Sequence, residues 1–249
     1  MPLRESDSIV LKTYNLAEAD RIVVLFTREF GMIRGVAKGA RRLKSKFGSS
    51  LEPFSEVHVE YFEKEDRELV SLQHAELIRS SFHAAASPEL LETYAHLADL
   101  LMTFAPPHDP NETLYRMVRA SLSVKLAEPT DASLLKFYFE IWILRLGGFL
   151  PDWTICGACR RVLSEAETAT LGEGYQLICG TCLQTRRPGE TISPSYRIIV
   201  ADAQRLPPAE FITEKRNAID IVKELSRIVG RLIATASGRP VLSESKANL

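Results

Sequence analysis

The sequence predicts an α+β protein in which a small N-terminal β-barrel precedes an α-helical domain that carries a cysteine-bearing insert. Three observations predict this class. The first 80 residues contain short segments rich in β-branched residues, the spacing of apolar residues becomes helical from Ser87, and the four cysteines form two matching pairs. We therefore expect domains at 1–80 and 81–249, with the insert at 151–190.

Five segments of the N-terminal domain have the length and composition of β-strands. They are residues 8–14, 21–27, 32–36, 56–62 and 69–77. In the fourth segment Val57, Val59 and Tyr61 alternate with His58 and Glu60, which predicts one buried and one exposed face. Five short strands with a long polar connection between the third and fourth suit a Greek-key barrel of the OB-fold type. An SH3-like barrel fits almost as well.

Two helices are expected directly after the barrel. Ser87 and Pro88 form a helix start, because serine can cap and proline fits the first helical position. Apolar residues then follow at helical spacing until the prolines at 106–107. A second helix is expected to open at Asn111 and to extend to Leu126.

A third helix, capped by Asp131, is too apolar for a single buried face. This composition predicts the central helix of a bundle, which ends at the glycines 147–148. Helical spacing returns at 195–204 and again from about residue 215 to 235, and the polar tail after Gly238 is expected to fray.

The net charge of the chain is -1, which argues against the strongly basic character common in nucleic-acid binders. The charges are nevertheless segregated, because residues 30–51 contain no carboxylate while residues 52–68 contain seven. The cations of this basic stretch are Arg34, Lys38, Arg41, Arg42, Lys44 and Lys46. Cations among small, flexible residues can follow a phosphate backbone, where each gains by displacing condensed counterions. The alternative is a solvated loop whose charge serves solubility.

Two aromatic residues lie within or beside the basic stretch. Phe47 and Phe54 can be imagined to stack on nucleobases. Packing in the core or at a hinge is the commoner fate of phenylalanine, so we expect both rings to be packed in this way and not to stack on bases.

The cysteines are spaced as C-x2-C-x19-C-x2-C, with ligands Cys156, Cys159, Cys179 and Cys182. This spacing predicts a zinc-binding subdomain with four cysteine ligands, in which Gly157 and Gly180 relieve the tight turns. Two disulfides or four unconnected thiols are the alternatives, but disulfides need an oxidising compartment and the charged start of the chain does not resemble an export signal. Four thiolates fill a tetrahedron, so the zinc is expected to be structural.

The sequence gives no positive case for an enzyme. It has no P-loop motif, and its five histidines share no recognisable ligand spacing. The acidic run at 60–68 could be read as a nuclease metal site, but its interleaved Lys64 and Arg67 favour a solvated hairpin tip. No apolar run reaches the length of a membrane span, so we expect neither insertion into membranes nor binding to them.

Several N-terminal motifs together resemble the bacterial RecO family of recombination mediators. The motifs are SIVLKTY at 8–14, EADRI at 18–22, LFTREFG at 25–31, VAKGARR at 36–42 and LEPF at 51–54. The order of the parts, from small barrel through helical bundle to inserted cysteine pairs, is also similar. The resemblance extends over residues 6–238.

The resemblance implies an OB-fold domain that binds single- and double-stranded DNA and anneals complementary strands. It also implies that the protein works with RecR to load RecA onto strands coated by single-strand DNA-binding protein, whose acidic C-terminal tail the family contacts. The location that the resemblance implies is the cytoplasm, in association with the nucleoid. By position, the basic residues from Lys38 and Arg41 onward are implied as DNA contacts, and the cysteines as zinc ligands.

Two other classes of function stay open at this point. A protein-interaction scaffold without direct DNA binding is opposed by the carboxylate-free stretch. A metal-dependent nuclease is opposed by the absence of a paired-carboxylate motif.

Overall fold

The computed structural model describes residues 2–63, 68–81, 87–184 and 189–238. The chain divides into two compact units, Met1–Ala132 and Ser133–Leu249. The first two helices therefore belong to the compact unit of the barrel. The boundary expected between residues 80 and 81 lies where the strands end and the helices begin. That residues 1–80 and 81–249 are separate domains stays a prediction.

Five strands close into a barrel in the order β1-β2-β3-β5-β4. Their bounds are β1 Leu3–Leu16, β2 Asp20–Thr27, β3 Gly31–Ala37, β4 Glu56–Phe62 and β5 Leu69–Arg79. The pair β3–β5 is parallel and the other pairs are antiparallel. The barrel confirms the predicted OB-type fold. Strand β1 begins five residues before its predicted start, because its polar first half pairs with β4.

Alternation along the strands fills the barrel with apolar side chains, and the predicted inward face of β4 is buried as expected. The core consists of Val10, Val23, Leu25, Ile33, Ala37, Phe47, Leu51, Val57, Val59, Tyr61, Val70, Leu72 and Ala75. Two of these residues, Phe47 and Leu51, come from the connection between β3 and β4. The long polar connection is therefore anchored inside the barrel.

Phe54 ends this connection in a left-handed backbone conformation, with φ of 68°. Its N–H donates to the carbonyl of Val10 at 2.6 Å, and its ring lies 5.2 Å from the ring of Tyr94. Phe47 and Phe54 are 3 % and 7 % exposed. Both rings are packed in the interior, as expected, and are not available to stack on bases.

Helices α1, Pro88–Phe104, and α2, Glu112–Leu122, begin at the predicted caps. The side chains of Ser87 and Asn111 accept hydrogen bonds from the third residue of each helix. The predicted extension of α2 to Leu126 is wrong. The backbone N–H of Ser123 bonds to the carbonyls of Ala120 and Ser121 and not to the carbonyl of Arg119 four residues earlier, so the α-helical pattern ends there.

Ionic contacts attach α2 to the barrel. Glu56 of β4, a buried residue, lies 2.5 Å from Arg119 and 3.3 Å from Arg79. At the other end of the helix, Glu112 accepts two hydrogen bonds from the guanidinium of Arg28. The hydrogen bond and charge of this pair raise the pKa of Arg28 and lower the pKa of Glu112.

The second unit contains the rest of the helices and a small sheet. Its elements are α3 Asp131–Leu146, β6 Ala169–Leu171, β7 Leu177–Ile178, α4 Gly180–Leu183, β8 Thr191–Ile192, α5 Pro194–Arg205, α6 Pro208–Lys215 and α7 Ile219–Ala236. Helix α3 begins at the end of the first unit, and most of its residues are buried, as predicted for a central helix. Its Phe137 and Tyr138 pack against Phe211 of α6.

Three features of this unit differ from the prediction. Asp131 was expected to cap α3, but its carboxylate accepts hydrogen bonds from the N–H groups of Ala127 and Glu128 in the preceding turn. Helix α6 lies between the helices expected at 195–204 and 215–235 and was not predicted, although Pro208 occupies the first helical position, which suits proline. The strands of the sheet β7-β6-β8 are only two or three residues long, which is too short for a periodic signal.

Residues 64–67 of the acidic run, and with them the predicted hairpin tip, lie outside the described residues. The predicted frayed tail from residue 239 onward also lies outside them. Among the helices that are described, none is both long and apolar enough to cross a membrane.

Gly31 lies where the β2–β3 turn approaches the loop between α1 and α2. Its φ is +65°, and a Cβ there would lie 2.4 Å from the backbone oxygen of Asp109. Gly48 has a φ of +50° with open space around it. We expect G48A to lower the free energy of unfolding by about 1 kcal/mol, and G31A by about 3 kcal/mol, because only the second adds a backbone clash. Urea titration measures the free energy of unfolding of both variants. Equal losses in G31A and G48A would contradict the close approach of Gly31 to the backbone of Asp109.

Candidate metal centre and nucleic-acid interface

The first cysteine pair lies in a hairpin turn. The N–H of Cys156 donates to the carbonyl of Arg161 at 2.9 Å, and the N–H of Arg160 returns to the carbonyl of Cys156 at 2.9 Å. Arg160 adopts a left-handed φ of 62°, which reverses the chain directly after Cys159. The turn therefore places two sulfurs on one side of the hairpin.

The second pair lies at the start of a short helix. Cys179 follows β7 and immediately precedes α4, which contains Cys182. The N–H of Gly157 donates to the carbonyl of Leu177 at 2.8 Å and so joins the two knuckles. A strand end and a hairpin turn thus bring together cysteines separated by 19 residues of sequence.

The predicted role of the two knuckle glycines holds only in part. A Cβ on Gly157 would lie 2.2 Å from the side-chain oxygen of Gln176, so close packing explains this glycine. Gly180 has nothing within 4 Å and no left-handed φ, so the structure gives no steric reason for a glycine there.

The four sulfur ligands lie within 4.8 Å of one another, and Cys159 and Cys179 are separated by 3.9 Å. In a tetrahedral zinc site with bonds of about 2.3 Å, the sulfurs lie about 3.8 Å apart. All four cysteines are free, which excludes the two disulfides considered above. The arrangement of four thiol groups around one point can hold a metal ion.

Hydrogen bonds and neighbouring thiols shift the pKa values of Cys156, Cys179 and Cys182 in different directions. Burial raises the pKa of Cys156, but N–H groups of Cys179, Cys159 and Ala158 outweigh this effect and lower the value to about 6. The backbone N–H of Cys182 likewise lowers the pKa of Cys179. Interaction with Cys179 and Cys159 raises the pKa of the Cys182 thiol to about 12. The cluster therefore favours the thiolates of Cys156 and Cys179 and disfavours that of Cys182, whose charge a bound cation would neutralise.

Sequence reasoning missed the side chain that attaches this cysteine subdomain to α5. The guanidinium of Arg197 donates to four carbonyls, those of Trp153, Leu163, Ser164 and Glu167, at distances of 2.8–3.1 Å. Arginine suits this role because it presents five donors in one plane. No local signal identifies Arg197, since its partners are all backbone groups distant in sequence.

The basic stretch lies on the other compact unit, after β3. All six predicted cations, Arg34, Lys38, Arg41, Arg42, Lys44 and Lys46, are exposed. Across the described part of the chain, none of them forms an ion pair with a carboxylate. The structure thus places the six cations on one barrel and leaves their charge uncompensated.

This segment is held in a defined conformation. Successive turns from Ala37 to Ser55 are joined by N–H to C=O hydrogen bonds three residues apart, and Phe47 and Leu51 insert into the barrel core. Arg41 binds the turn between β1 and β2 through the carbonyls of Ala17 and Ala19. The cations are therefore presented by an anchored surface beside that turn.

Comparison with known proteins gives one consistent result. Models of the N-terminal and C-terminal domains of recombination protein O match residues 1–81 and 90–244. The DNA repair protein RecO of Koribacter versatilis is 36% identical over 163 residues, or 66% of each chain. The DNA repair protein RecO of Caldicellulosiruptor saccharolyticus is 26% identical over 234 residues, or 94% of each chain.

The bonds of Arg197 can be tested directly. We expect R197M to accelerate amide hydrogen exchange of Cys156 and Leu163 at least tenfold, because the hairpin that carries them loses its attachment to α5. R205M on the same helix is the control, since Arg205 is exposed and pairs only with Asp202 among the described residues. Equal exchange in the two variants would show that Arg197 does not hold the subdomain.

Proposed function

The chain belongs to the RecO family of DNA repair proteins, and we propose on this basis that it is a non-enzymatic recombination mediator. It binds single- and double-stranded DNA and anneals complementary strands. With RecR it promotes loading of RecA onto strands coated by single-strand DNA-binding protein, whose C-terminal tail it contacts. Its site of action is the cytoplasm, in association with the nucleoid.

The observation that carries the DNA-binding proposal is the anchored, carboxylate-free stretch on an OB-type barrel. Phosphates bind such a surface because each contact releases condensed counterions. Arg34, Lys38, Arg41, Arg42, Lys44 and Lys46 are the proposed DNA contacts. The strand faces and adjacent loops of OB-folds are common sites for oligonucleotides, which supports this location.

Annealing on this surface requires no bond chemistry. Two strands held by cations repel each other less and are present at higher local concentration. Within the described residues, which do not include 64–67 of the acidic run, the four cysteines are the one group of three or more potential ligands that could hold a metal.

We further propose that Cys156, Cys159, Cys179 and Cys182 hold a structural zinc ion. Soft thiolate ligands in tetrahedral arrangement suit zinc, and four of them leave no position for an activated water. The ion would supply a cross-link between the hairpin and α4 in a subdomain whose strands are very short.

The salt dependence of binding tests the DNA proposal. With four to six phosphate contacts, log affinity for single-stranded DNA is expected to fall against log salt with a slope of roughly -3 to -4. Alanine at Arg41, Arg42, Lys44 and Lys46 should make the slope shallower by about 3. A charge-matched control carries alanine at Arg116, Lys125, Lys223 and Arg227, which are exposed elsewhere. Fluorescence anisotropy with a labelled oligonucleotide measures both variants.

Three results would contradict the proposed function. Absence of binding at low salt would favour the alternative of an interaction scaffold. An equal change of slope in the control variant would show that net charge, rather than the basic stretch, determines affinity. Cleavage of the oligonucleotide in magnesium would instead indicate a nuclease.

Metal analysis tests the zinc proposal. We expect about one zinc per chain, its loss in C159S, and a lower thermal midpoint after chelation, because the metal contributes to folding of the subdomain. C182S should also lose the zinc, since Cys182 is a proposed ligand of the same site. A metal-free protein with unchanged thermal stability would overturn the assignment.

A further inference from the structure

The strand register aligns three apolar side chains across the outer face of β1, β2 and β3. Tyr14 pairs with Ile22, and Ile22 pairs with Val36. Directly paired residues project to the same side of a sheet, opposite to the core residues Val23 and Ala37 that neighbour them. Tyr14 is 45 % exposed, and Ile22 and Val36 are half-buried. These three residues form an apolar row on the outside of the barrel.

Cations border the apolar row. Arg34 and Lys38 lie two residues before and after Val36, so alternation places Arg34 on the same face and brings Lys38 to the end of the strand. Lys12, which belongs to the same face of β1, lies 5.8 Å from the centroid of the Tyr14 ring. Lys12 is partly neutralised by Asp99 at 3.6 Å, whereas Arg34 and Lys38 have no carboxylate partner among the described residues.

Tyr14 differs from the other aromatic residues near the basic stretch. Phe47 and Phe54 are enclosed in the interior, whereas the Tyr14 ring contacts no aromatic ring in the described part of the chain. The row spans two strand spacings, or about 10 Å. An exposed aromatic ring beside unpaired cations has the composition of a surface that stacks a base and holds the adjacent phosphates.

We propose that the row of Tyr14, Ile22 and Val36 is a stacking platform for an unpaired base of single-stranded DNA, with Tyr14 as the stacking residue. The proposal rests on the DNA binding proposed above and deepens it. The cations bind the phosphates of single strands and duplexes alike, whereas the faces of paired bases are hidden within the duplex stack. The platform therefore adds affinity only for unpaired strands.

Three DNA substrates distinguish base stacking from phosphate binding. One is an oligothymidine, the second is an abasic strand of equal length, which keeps the phosphates and lacks the bases, and the third is a duplex. The wild-type protein should bind the oligothymidine about tenfold more tightly than the abasic strand. This comparison uses the unaltered protein and does not depend on the folding of a variant.

Variants assign the stacking to Tyr14. We expect Y14A to lose about tenfold in affinity for the oligothymidine, with no change for the abasic strand, for the duplex or in the salt slope. Y14F should retain the affinity of the wild type, because the ring is sufficient for stacking. F149A is the control, since Phe149 is 43 % exposed and lies in the other compact unit.

The outcomes distinguish this inference from the function on which it rests. If the wild-type protein fails to bind any of the three substrates, the proposed DNA binding is wrong. If it binds all three but does not distinguish oligothymidine from the abasic strand, or if Y14A weakens all substrates equally, the stacking platform is wrong while DNA binding stands.

Discussion

The insertion of Phe47 and Leu51 into the barrel core is the contact on which the rest of the first unit depends. Residues of one sign repel one another, so a stretch of six cations favours an extended and mobile chain. Burial of two large apolar side chains offsets that repulsion, since each contributes roughly 1.5–3 kcal/mol. Hydrogen bonds to the carbonyls of Ala17 and Ala19 hold Arg41 beside the β1–β2 turn. The six cations therefore form part of a surface with a defined conformation.

The near-zero net charge of the chain gives no sign of the cationic surface at residues 30–51. The chain as a whole has a net charge of -1, yet residues 30–51 contain cations without a carboxylate and residues 52–68 contain seven carboxylates. Several carboxylates are committed to structural contacts, such as Glu56 with Arg119 and Glu112 with Arg28. The basic stretch has no such partners among the described residues. Segregation followed by selective pairing explains how a protein without excess positive charge can present a cationic face.

Patterns that depend on local spacing were predictable, and features that depend on distant partners were not. The strand β4 and the cysteine cluster follow from periodicity and ligand spacing, and both are found as expected. The end of α2 at Leu122 could not be predicted from the spacing of apolar residues, because that spacing continues to Leu126. The role of Arg197 depends on four carbonyls far away in sequence. Tyr14 and Phe47 are both aromatic residues of the first unit, and local spacing does not show which of them is exposed. In the structure Phe47 is buried and Tyr14 is exposed.

The central claim is that DNA binds the outer face of the barrel through its anchored basic stretch. Hydrogen exchange of the protein, measured with and without an oligothymidine, tests this claim most directly. Protection should increase at the amides of Arg41, Arg42 and Ser45 and along the exposed face of β1 to β3. Binding accompanied by protection only within residues 133–238 would contradict the account.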